Sequence, residues 1–137
     1  MAKQGRSNPE RHVMAQQDLS NLVAQGDLDG LAAALDAGGD VEAKDRWGVT
    51  LLGQAAALGN LAVIELLLAR GADLTATSDA GNTALMAAAA RGHLEVAAAL
   101  IAAGADPDHG NRWGLTAADW ARWPENSAEL LALLRGV

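Results

Sequence analysis

A chain of 137 residues is the size of one domain; half of it is hydrophobic, and much of that is alanine. Cys, Phe and Tyr are absent, which excludes disulfides, Cys-ligated metals and thiol chemistry and suits a thin helical stack better than a globule with a bulky centre. The net charge of −7 argues against non-specific nucleic-acid binding, and no apolar run approaches the ~20 residues that span a bilayer.

The first segment, MAKQGRSNPERHVMAQQ, carries charge but no apolar stretch of the kind a secretory signal needs. The cytoplasm is therefore the default compartment. Residues 1–7 are polar and read as a disordered tail or a cloning remnant. Ser7 and Glu10 have capping-box spacing, and Pro9 is tolerated in a first turn, so a helix is expected from there to about Ala24.

The stretch Asp45 to Thr77, DRWGVTLLGQAAALGNLAVIELLLARGADLTAT, sets the pattern for the rest. Shifted by 33 residues it lands on Ser78 to Gly110, and shifted again on Asn111 onward. Gly48, Gly81 and Gly114 form one series at that spacing, and Thr50, Thr83 and Thr116 another. Gly26, Gly59 and Gly92 follow, as do Gly38, Gly71 and Gly104, and Asp40, Asp73 and Asp106. These are residues that set turns, helix stops and caps. A fixed period of this size means stacked units sharing one continuous core. The divisions expected are a tail at 1–7, an N-terminal cap repeat at 8–44, repeats at 45–77 and 78–110, and a C-terminal cap repeat at 111–137.

Within a unit, Thr50 is expected to cap a short helix over about Leu51 to Ala57, and Gly59 to break it. Asn60 caps a second helix, about Leu61 to Arg70, which Gly71 stops. Residues 72–81 are too turn-rich for a helix and predict a β-turn finger. The second helices carry the series Leu28, Leu61, Leu94; Leu31, Ile64, Ala97, Leu130; and Leu35, Leu68, Ile101, Leu134, at i, i+3, i+7, which predicts one buried face. In the last unit Pro124 ends the first helix, and a second runs about Ser127 to Arg135. Glu125, Asn126 and Glu129 would supply a polar outer wall.

These residues resemble ankyrin repeats over about residues 12–137. The carriers are the Gly-x-Thr entries and the blocks GNLAVIELLLARGAD and GHLEVAAALIAAGAD. The resemblance implies an all-α solenoid of four repeats including caps, built of stacked helix-turn-helix units with projecting β-turn fingers. It also implies a concave face made of finger tips and first helices. The family's Thr-Pro-Leu-His entry is degraded to Thr50-Leu51-Leu52-Gly53, Thr83-Ala84-Leu85-Met86 and Thr116-Ala117-Ala118-Asp119. Gly53 inside a helix is expected to cost about 1 kcal/mol against alanine.

Little in the sequence points to catalysis. His12, His93 and His109 have no metal-ligand spacing, and His93 stands where the family caps its second helix. No phosphate loop is present, and Asp79, Asp106 and Asp108 lack the spacing of a calcium loop. No enzyme activity, cofactor or metal is expected.

The resemblance carries over a set of groove positions. In the second repeat these are Arg46, Trp47, Val49, Ala57 and Leu58. In the third they are Asp79, Ala80, Asn82, Ala90 and Arg91, and in the fourth Arg112, Trp113, Leu115, Trp123 and Pro124. Arg70 falls at the rim, and Trp120 on the core side of its helix. Trp and Arg dominate interface hot spots, so an acidic chain that places them there predicts a protein-binding groove for a partner with acidic and apolar surface. Nucleic acid and membrane are not expected as partners, and the chain should be monomeric. Each residue also has a plainer role. Trp47 and Trp113 would then stiffen the fingers, Trp123 would cover the end of the stack, and the arginines would pair with Glu42, Asp45 or Asp79. Together these make the alternative, a structural or engineered scaffold with no evolved partner. Buried indoles would favour it.

Overall fold

Glycine, threonine and asparagine at 33-residue intervals decide where helices start and stop. The computed structural model describes residues 19–121 and 127–135, and their backbone follows those signals. Helix α1 occupies residues 19–25, followed by α2 (Leu28–Asp36), α3 (Leu51–Leu58), α4 (Leu61–Ala69), α5 (Ala84–Ala90), α6 (Leu94–Ala102), α7 (Ala117–Trp120) and α8 (Ser127–Leu134). The expected start at Ser7–Glu10, and Pro124, Glu125 and Asn126, lie outside the described residues.

The caps act as the side chains dictate. Thr50 Oγ1 accepts from the Gly53 amide at 3.2 Å, Thr83 Oγ1 from Met86 at 3.3 Å, and Asn60 Oδ1 from Val63 at 3.2 Å. At α7 the start is a capping box: the Thr116 side chain faces the Asp119 amide, and the Asp119 carboxylate accepts the Thr116 amide, at 2.8 Å, and its hydroxyl. Each such bond satisfies a donor that a helix start would otherwise leave open. Gly59 ends α3 in the left-handed region at φ +74°, where a Cβ would also strike the His93 ring.

The helices form two layers. In one, α3 packs on α5 and α5 on α7; in the other, α2 packs on α4, α4 on α6 and α6 on α8. A single core runs between them from Leu19 and Val23 to Leu130 and Leu134. Each fully buried Leu or Ile in it contributes roughly 1.5–3 kcal/mol.

The second-layer stripe differs from the expected one. Its buried centre is Val63, Ile64 and Leu67 in α4, and Val96, Ala97 and Leu100 in α6. Leu31, Ile64, Ala97, Leu130 and Leu134 are buried as expected, but Leu28 is exposed, and Leu61, Leu94, Leu35, Leu68 and Ile101 are only partly buried. An i, i+3, i+7 set marks a face, but the angle at which the neighbouring helix arrives selects its centre. Here that centre is rotated toward the residue before Ile64.

Between the helical pairs the chain makes three fingers of one design. Asp45 N donates to Val49 O, Ser78 N to Asn82 O and Asn111 N to Leu115 O, at 2.9–3.0 Å. Lys44 and Thr50 form an isolated antiparallel bridge at the base of the first. Gly48, Gly81 and Gly114 turn the tips at φ +75°, +83° and +75°. Backbone bonds tie the tips of neighbouring fingers, Asp79 N to Trp47 O and Arg112 N to Ala80 O, both 3.1 Å.

Candidate functional site: the finger tips and the cleft behind them

The residue that opens each finger holds its tip. Asp45 Oδ1 accepts the amides of Trp47 and Val49, both at 2.9 Å. Asn111 Oδ1 accepts those of Trp113 and Leu115 at 2.9 and 3.0 Å, and Ser78 Oγ that of Asn82 at 3.3 Å. Asp, Ser and Asn thus do one job at one repeat position. Sequence reasoning missed this because residue identity changes along the series. The signal was position, three residues before each tip glycine. A second set of turns enters the fingers: Asp40, Asp73 and Asp106 each accept the amide two residues on, at 2.8–2.9 Å. Asp73 also accepts the Thr75 hydroxyl, and the hydroxyl and then the amide of Thr75 hold its carboxyl below the usual carboxylate range.

Pinned this way, the tips present their side chains outward. Trp47 is 63% exposed and Trp113 68% exposed, against the 3% or less typical of the core leucines. The Arg46 guanidinium sits over the Trp47 ring, 5.2 Å from its centroid, a contact worth about 0.5–1 kcal/mol at an exposed site. Arg46, Asp79, Arg91 and Arg112 are exposed, as are Leu115 and, at the end of α3, Leu58. Trp123 lies outside the described residues.

Behind the tips, between the finger bases and the faces of α3 and α5, lies a cleft of about 300 Å³. Val49, Ala57, Asn82 and Ala90, all groove positions by sequence, line it. The tryptophans and arginines of the tips do not. Trp120 lines it as well. The sequence placed Trp120 on the core side of its helix. It does pack against the core, but it is also part of the cleft wall. The equivalents of Trp120, 33 and 66 residues earlier, are Ala87 and Gln54, both cleft residues. A polar Gln at that repeat position was the available signal.

Asn82, a groove position that lines the cleft, also serves the scaffold, its Oδ1 accepting from Asn111 Nδ2 at 2.9 Å across two fingers. Two further expectations change. Arg70, expected at the groove rim, is paired with Asp36 where α4 meets α2, in the other helix layer. His93 occupies the N-cap position of α6 but its side chain does not cap. Its Nε2 instead bonds the Ala57 carbonyl at the end of α3, 3.1 Å away, stitching one helical pair to the next. Among the described residues no arginine forms an ion pair with Glu42, Asp45 or Asp79. Asp45 holds the finger tip, and Glu42 accepts the Asp73 amide at 2.8 Å.

His109 is exposed, and among the described residues no three acidic, His or Cys groups converge as a metal site. Among the described residues, no helix is long and apolar enough to cross a membrane.

No curated protein matches the chain at a significant level. A family model of three ankyrin repeats matches residues 19–133. Proteins of that family generally act as protein–protein interaction modules and are typically not enzymes. The period, the capped helix pairs and that match agree: this chain belongs to the ankyrin-repeat family.

Proposed function

We propose that the chain is a non-enzymatic, monomeric module that grips one protein partner with its finger tips and the groove behind them. Trp47 and Trp113 are the apolar anchors, with Leu58 and Leu115 extending the apolar surface. Arg46, Arg91 and Arg112 pair with carboxylates on the partner. Asp79 stands between the two Arg-Trp tips and sets the register. What carries this reading is the exposure of two indoles, 63% and 68%, on turns that hydrogen bonds hold rigid. A rigid aromatic anchor forfeits little entropy on binding. The alternative, a scaffold with no evolved partner, is favoured by buried indoles, and these two are exposed.

The test starts with capture of a partner from native lysate and its purification. Trp47→Ala and Trp113→Ala should then each weaken its binding by about 2 kcal/mol or more. A partner that binds both variants as tightly as the parent chain would show that the tips are not the contact surface.

A further inference from the structure

Each polar side chain lining the cleft already has an intramolecular hydrogen bond. Asp45 and Ser78 hold finger tips, Thr50 and Thr83 cap helices, Gln54 Nε2 donates to the Val49 carbonyl, and Asn82 accepts from Asn111. One group is left over. The Trp120 Nε1–H is, among the described residues, the buried side-chain polar atom with no partner. It can only donate, so what would satisfy it is an acceptor brought by a ligand. The rest of the cleft lining among the described residues is apolar, including Val49, Ala57, Met86 and Ala90. Asp45 is the only charged residue among the described residues that line it. An anion would therefore meet a carboxylate and no cation, and apolar walls penalise any buried charge. The ligand that fits is neutral and aliphatic and carries one carbonyl. The volume of about 300 Å³ is at the lower end of ligand pockets, enough for a side chain and its peptide group.

We propose that the cleft receives one aliphatic side chain of an extended partner segment, and that Trp120 Nε1–H donates to that segment's backbone carbonyl. This rests on the reading of the chain as a protein-binding module. It assigns specificity to a pocket that Trp47, Trp113 and the tip arginines do not line.

The probe is N-acetyl-leucine N-methylamide, titrated into the full ¹⁵N-labelled chain. N-acetyl-glycine N-methylamide is the control. The four indole N–H cross-peaks are assigned by single Trp→Phe substitutions. The Trp120 peak should move downfield and saturate with the leucine probe, while those of Trp47 and Trp113 stay in place. Trp120→Phe keeps a ring but loses the donor, and should weaken the probe by about two- to tenfold. Ala90→Leu fills the cleft from the α5 wall and should abolish the Trp120 shift, which gives a second variant if Trp120→Phe folds poorly. An unmoved Trp120 peak, equal movement with the glycine probe, or unchanged affinity in Trp120→Phe would overturn the proposal. None of these results bears on the finger tips, whose role is read from Trp47→Ala and Trp113→Ala against a captured partner.

Discussion

Asn111 is buried in the last finger, and its side chain makes three hydrogen bonds at once. Its Oδ1 accepts two tip amides, and its Nδ2 reaches Asn82 Oδ1 in the preceding finger. Asn111→Ala removes all three. At about 0.5–1.5 kcal/mol per bond the raw sum is roughly 1.5–4.5 kcal/mol. Trp113 and Leu115 are exposed residues, so water should replace part of what their amides lose, and the loss should be about 2–3 kcal/mol. A pair of isosteric changes tests the reasoning more sharply. Asn111→Asp keeps the acceptor, as Asp45 does in the first finger, but aims a carboxylate at the Asn82 oxygen. It should cost about 1–2 kcal/mol. Asn82→Asp preserves an acceptor for Asn111 Nδ2 and should stay within about 0.5 kcal/mol of the parent chain. Urea denaturation followed by circular dichroism reads these differences, with the denaturant slope unchanged if the variants unfold as the parent does. Equal stability of Asn111→Asp and Asn82→Asp would refute the assigned direction of the inter-finger bond. A loss below about 0.5 kcal/mol in Asn111→Ala would refute its role in holding the tip.

Gly53 offers a second test. Replacing a helix-interior glycine by alanine ordinarily gains about 1 kcal/mol. At this site the new Cβ would lie 2.8 Å from Val49 Cγ1, so Gly53→Ala should destabilise the parent chain, yet stabilise a Val49→Ala background, as read by the same unfolding assay. For Asp73, the folded carboxyl titrates below its ordinary value of 3.8, so its contribution is fully present above that pH and is lost as pH falls through the lowered value. Thr75→Val removes the largest cause, and a carboxyl titration by NMR should show Asp73 moving back up toward 3.8.

The architecture was legible in the sequence because it is written in short-range chemistry. Thr50, Asn60 and Thr83 cap the helices that directly follow them, and Gly59 stops the helix just before it. The tip positions came from the resemblance to ankyrin repeats rather than from local chemistry, and Trp47 and Trp113 are exposed there. What stayed hidden depends on how one unit meets the next. The His93 bond to Ala57 spans 36 residues and the Asn111 bond to Asn82 spans 29. Neither distance is encoded by local periodicity. Gly53 looked like a flaw in a helix until Val49 was seen to occupy the space of its missing methyl. The Trp120 face was read only in part: the core contact was expected, the cleft wall was not. An indole is wide enough to touch the core with one edge and line a cleft with another.

Two of the bonds between adjacent fingers, Asp79 N to Trp47 O and Arg112 N to Ala80 O, use no side chain. Any amino acid with an amide hydrogen can take those places without loosening the row. The display is thereby uncoupled from its mounting. Letters can be exchanged at 46, 47, 79, 80, 112 and 113 while the frame that carries them keeps its shape. Selection can then rewrite what this surface says without first having to rebuild what it is written on.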